Sequence, residues 1–93
     1  SVYNDLVIGY RLREGSIILR DPIKAIKHFK KASKKDADKI KAAYELGVIY
    51  FEENSVQNYS ESKKWIKKAY ESTEIEISKK AEDYWNKHEL WNY

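Results

Sequence analysis

AAYELGVIYFEEN, residues 42–54, reads as a helix with a glycine at its centre. Ala42, Ala43, Leu46, Ile49 and Tyr50 recur at the spacing that gathers apolar side chains on one side of a helix. Gly47 sits among them, although a glycine inside a helix costs about 0.5–1 kcal/mol relative to alanine, because it has the most conformational freedom to lose. Whatever offsets that cost must come from outside the helix.

Outward from this stretch the same spacing returns. Asp21 is placed to cap a helix whose first residue is Pro22, where the missing N–H does no harm, and Ile23, Ile26, Phe29 and Ala32 carry the pattern to about residue 34. The central helix is expected from about Asp38 to Phe51, before EENSVQN, residues 52–58, a polar loop. YSESKKWIKKAYE, residues 59–71, has Ser60 as its expected cap and Trp65, Ile66, Ala69 and Tyr70 on one side. Upstream, a helix is expected from Tyr3 to about Arg13, carrying Leu6, Val7 and Tyr10 and ending at Gly15 with positive φ. Downstream, a helix is expected to cap at Ser78 and to carry Ala81, Tyr84, Trp85 and Trp91. SIIL, residues 16–19, is the best strand candidate but has nothing to pair with. The expectation is an all-α fold of five helices.

Composition narrows the function classes. A chain of 93 residues has room for one domain with a modest core. Its 42% hydrophobic and 35% charged residues place it above the disordered regime, so it should fold. Without cysteine there is no disulfide, no thiolate metal site and no cysteine nucleophile. His28 and His88 are the only histidines, and no zinc-protease, EF-hand or phosphate-loop spacing is present, so neither a metal nor a cofactor is expected. No apolar run approaches the roughly 20 residues of a membrane span, and the first residues lack the pattern of a signal peptide. The compartment is unreadable: bacterial cytoplasm and periplasm both stay open, the bacterial source being suggested only by a composition rich in Lys, Ile, Asn and Tyr. From Ser1 in place of methionine we expect that a leader or larger upstream portion has been removed.

An internal repeat orders the helices. Gly9, Gly47 and Trp85 follow one another at intervals of 38 (47 − 9 and 85 − 47). In the first unit come Ile8-Gly9, Leu12, Gly15, Ile18, Asp21, Lys24-Ala25, His28-Phe29 and Lys31-Ala32. The second answers with Leu46-Gly47, Tyr50, Glu53, Val56, Asn58, Glu61-Ser62, Trp65-Ile66 and Lys68-Ala69, with one residue fewer in its loop. A third unit begins with Ala81, Tyr84 and Trp85 and goes no further.

The order A-x-x-x-L-G-x-x-Y-x-x-G, a short loop, then K-A-x-x-W-[YF]-x-K-A resembles the Sel-like repeat, a helix-turn-helix relative of the tetratricopeptide repeat. The resemblance covers residues 4 to 72 as two units, and residues 76 to 92 resemble the solitary helix that closes such arrays. The second unit keeps Ala42, Leu46, Gly47, Tyr50, Val56, Trp65, Lys68 and Ala69. The first departs, with Asn4 for the alanine, Leu12 for the tyrosine and His28 for the tryptophan. What the resemblance implies is a single domain over residues 1–93, a right-handed α-α superhelix. Its parts would be a first repeat at 3–35, a second at 36–73 and a capping helix at 76–92. It also implies a non-catalytic scaffold that binds a protein or peptide. The glycine then has a reason: without a side chain it lets a neighbouring helix approach the backbone, and the packing gained exceeds the local penalty.

Tyr44, Val48 and Phe51 form a second apolar stripe on the central helix, apart from the positions the repeat commits to packing. One reading makes them anchors in a concave groove, together with Tyr10 and Glu52; the other packs them against the first or last helix. Leu6, Tyr10 and Arg13 occupy the corresponding positions of the first unit. Charge is uneven: residues 20–41 hold nine Lys or Arg against three Asp, and residues 42–62 hold four Glu and no base. Lys24, Lys27, Lys30, Lys31, Lys34 and Lys35, with Lys63, Lys64, Lys67 and Lys68, make a lysine-rich surface on what the resemblance makes the convex side. Nucleic-acid binding there is disfavoured, because arginine, the better base and phosphate reader, is nearly absent and the net charge is only +3.

His28 reads as a packed, hydrogen-bonded residue, and nothing pairs it with His88. With no triad spacing, an enzyme is not expected. Tyr84, Trp85, Trp91 and Tyr93 read first as an aromatic cap and second as an association surface. Arrays generally need three units, so either the cap completes this one, or the chain dimerises weakly, or it is part of a longer protein. Among family roles, an adaptor and an immunity protein that neutralises a cognate bacterial toxin both fit so short a chain.

Overall fold

The computed structural model describes residues 4–15 and 20–93. Its five helices are α1 (Asp5–Glu14), α2 (Pro22–Ala32), α3 (Lys39–Glu52), α4 (Tyr59–Tyr70) and α5 (Ile75–Lys87), with short 3-10 turns at Asn54–Val56 and Leu90–Asn92. The fold is all-α. Consecutive helices pack as pairs, α1 with α2 and α3 with α4, and α5 lies against the second pair. Three sequence expectations lie outside the described residues: the strand candidate at 16–19, Ile18 of the first unit, and the start at Tyr3.

Three helices begin where a side chain accepts a first-turn N–H. Asn4, Asp21 and Asn58 each receive such a bond at 3.0 Å, from Val7, Lys24 and Glu61 respectively. Asn58 therefore takes the role expected of Ser60, whose hydroxyl instead donates to the Asn58 side chain at 2.9 Å. Ser78 does not cap either, because α5 starts three residues earlier, at Ile75. Its hydroxyl donates to the Tyr70 carbonyl at 2.5 Å, at the end of α4, and ties the two helices together. Gly15 ends α1 as expected but in extended backbone, with φ −70° and ψ −180°, so its left-handed expectation fails. Its N–H still bonds the Arg11 carbonyl, which is all that ending the helix requires.

The two pairs share a backbone signature. Asp21 N–H donates to the Leu12 carbonyl at 2.7 Å, and Asn58 N–H donates to the Tyr50 carbonyl at 2.8 Å. These are matched positions of the two units: each second-helix cap folds back onto the end of its first helix.

Matched positions also build the interior. Ala25 and Ser62, Phe29 and Ile66, and Ala32 and Ala69 are all fully buried. Phe29 belongs to a core that includes Leu6, Ala42, Leu46 and Ile49, while Ile66 belongs to one that includes Val48, Ala81, Tyr84 and Leu90; Trp65 packs against both. Gly9 and Gly47 each lie where the first helix of a pair packs against the second. A Cβ on Gly9 would sit 2.8 Å from the Phe29 ring; one on Gly47 would collide with the Ile66 side chain and stand 3.1 Å from the Ile66 backbone nitrogen. Ser62 donates to the Gly47 carbonyl at 2.6 Å, a contact that a larger residue at position 47 would disturb.

Candidate functional site

Side chains of α1, α3 and α5, the first helices of successive units, meet along one side of the molecule. Arg13 of α1 pairs with Glu45 of α3, a buried carboxylate whose desolvation this guanidinium offsets. One turn before Arg13, Tyr10 is half-buried and sets its ring edge-to-face with Phe29, centroids 5.4 Å apart. Tyr44 of α3 meets Tyr84 of α5 edge-to-face at 6.1 Å, and the Lys80 ammonium lies 4.7 Å from the Tyr44 ring centroid. Burial raises the pKa of both Tyr10 and Tyr44 above the ordinary tyrosine value. Tyr84 donates to the Glu52 carboxylate at 2.7 Å, and burial together with that bond pushes its pKa far higher.

This places the five sequence candidates. Tyr10 and Tyr44 are half-buried on this side, and Glu52 is exposed with one carboxylate oxygen held by Tyr84. Val48 is 5% exposed and lies within the second core, so its side chain is covered by this chain itself. Phe51 is half-buried among Tyr59, Tyr84 and His88, the His88 ring 4.3 Å away. Along the stripe, Val48 and Phe51 therefore pack toward α5. Tyr44 keeps an open edge on a shallow cleft of about 270 Å³ that Lys80, Asp83 and Lys87 also line.

His28 hydrogen-bonds as expected: its Nδ1 lies 2.9 Å from Asp5, which Lys35 also approaches at 3.3 Å. These partners hold the Asp5 carboxyl below its usual range, the His28 bond contributing most. His88 is wedged between Phe51 and Tyr84, and burial lowers its pKa. Among the described residues no three His, Asp or Glu gather as metal ligands, and no helix is long and apolar enough to cross a membrane.

Two features escaped the sequence reading. The Arg13–Glu45 pair joins residues in different repeats, with no local signal beyond a charged residue in an apolar helix. The other is a cleft of about 570 Å³ between the repeats, with Ile40, Ala43 and Trp65 on its surface. The sequence reading gives Trp65 to the repeat's packing positions and Lys34 and Lys68 to the lysine-rich convex side.

The family profile described as Sel1 repeat matches residues 7–36 and 40–73, more than half of the chain. The chain belongs to the Sel1 repeat family. Both matches fall on the helix pairs described above, and Gly9 and Gly47 lie inside them. Sel1 repeats are helical repeats that generally serve protein interaction, and the family is typically non-catalytic. No curated protein and no solved structure matches this Sel1 repeat chain.

Proposed function

We propose that this Sel1 repeat chain is a non-catalytic interaction module that binds a protein or peptide partner on the side formed by α1, α3 and α5. Tyr10, Tyr44 and Glu52 make the contacts, and Val48 and Phe51 support them from beneath. The observation that carries this reading is the partly open Tyr44 ring, held by Tyr84 and bordered by Lys80, Asp83 and Lys87. A tyrosine fixed by its neighbours loses little entropy on binding and offers both an apolar face and a hydroxyl, which is why such residues anchor interfaces. The charged rim supplies orientation and partner choice.

The test compares partner capture by the unaltered chain with capture by a Lys80→Glu, Lys87→Glu variant and by Tyr10→Ala. All three exchanges sit at exposed or half-buried positions. A partner retained by the unaltered chain and lost by the variants, at unchanged melting temperature, supports the reading. Equal retention by every variant rejects this side as the binding surface.

A further inference from the structure

The larger cleft shares none of its lining residues with the one beside Tyr44. It opens where the end of α2, the start of α3 and the second half of α4 converge, so neither repeat forms it alone. The partly buried Ile40 and Trp65 give it an apolar surface over the buried Ala43, and Lys34, Lys39 and Lys68 stand exposed around it. Among the described residues none of these three lysines has a carboxylate partner. Glu71, which follows α4, lines the same cleft, so three lysines face one carboxylate there and positive charge is in excess. The volume of about 570 Å³ suits a few residues of extended peptide.

Trp65 adds a second observation. Its indole nitrogen is sealed from water and has no acceptor among the described residues, a costly arrangement for a hydrogen-bond donor. The Lys64 and Lys68 ammonium groups lie 5.3 and 4.8 Å from its ring centroid, and the ring packs against both cores.

We propose that this cleft binds an acidic peptide segment. One apolar side chain of the segment rests on Ile40 beside the Trp65 ring, flanking carboxylates pair with Lys34, Lys39 and Lys68, and a ligand oxygen accepts the Trp65 indole N–H once the side chains that cover it move aside. Charge complementarity selects the occupant, and the apolar surface distinguishes it from a bare anion.

The test is an NMR titration of the ¹⁵N-labelled chain with an acetylated EELEE pentapeptide and with its QQLQQ counterpart. The three tryptophans give three indole N–H signals, and a Trp65→Phe variant identifies the one that matters. The expected result is a shift of the Trp65 indole signal with EELEE and none with QQLQQ. A Lys34→Glu, Lys39→Glu variant of unchanged melting temperature should weaken EELEE binding by about tenfold or more; Lys34→Gln, Lys39→Gln serves if charge reversal disturbs folding. An unmoved indole signal, an equal response to QQLQQ, or undiminished binding by the lysine variants overturns the proposal. So does a single-stranded oligonucleotide that shifts the same signal at lower concentration than EELEE, which would reassign the cleft to nucleic acid.

Discussion

Gly47 shows how one residue can report on tertiary structure. Replacing it by alanine should gain helix propensity worth about 0.5–1 kcal/mol, yet the new methyl group meets both the Ile66 side chain and its backbone nitrogen. A backbone atom cannot turn aside, so Gly47→Ala should lower stability by about 1–3 kcal/mol in a urea melt. For Gly9→Ala the nearest atoms are those of the Phe29 ring, a side chain that can shift, and the cost should be smaller. His88 is the second informative residue. Burial depresses its folded pKa below the ordinary 6.5, with Lys87 acting in the same direction and Glu52 against it. The unfolded chain therefore takes up this proton first, and stability falls as pH drops from about 6.5 through the folded value. Asp5 is also depressed, below 3.8, so its contribution is lost only in stronger acid. His88→Phe keeps a ring between Phe51 and Tyr84 and should shrink the fall in melting temperature between about pH 7 and pH 5. An unaltered pH dependence in that variant would place the titration elsewhere.

At the scale of the element, caps decide where helices begin, and here the sequence was read correctly at Asp21 but two residues late at α4. Asn58 and Ser60 both have capping side chains. The winner is the residue whose backbone also reaches the Tyr50 carbonyl, a bond between elements that local sequence does not announce. Asn58→Ala should therefore cost about 0.5–2 kcal/mol, and Ser60→Ala, which removes only a bond to the Asn58 side chain, distinctly less. Chemical denaturation of the two variants side by side checks the order. Ser78 was misread for a related reason: a serine near a helix start resembles a cap, whereas this one spends its hydroxyl on the last residue of the preceding helix.

For the whole molecule, α5 is what covers the second helix pair. It places Ala81, Tyr84 and His88 against Val48 and Phe51, and it covers the side of the second pair that a further repeat would cover in a longer array. Phe51→Ala should accordingly lower stability by about 2–3 kcal/mol, and because Trp65 packs against both cores, circular dichroism and tryptophan fluorescence should still report one coincident transition. Separate transitions would show that the repeats unfold independently. The sequence by itself determined the number and order of the helices, the two-unit repeat and the packing role of Gly9 and Gly47, because periodicity and spacing are written in local order. Only the tertiary structure decided which face of α3 is covered, that Arg13 neutralises Glu45, and that Lys34, Lys39 and Lys68 surround one cleft. Each of these depends on which helices lie side by side, and residues distant in the chain become neighbours only when packing brings them together.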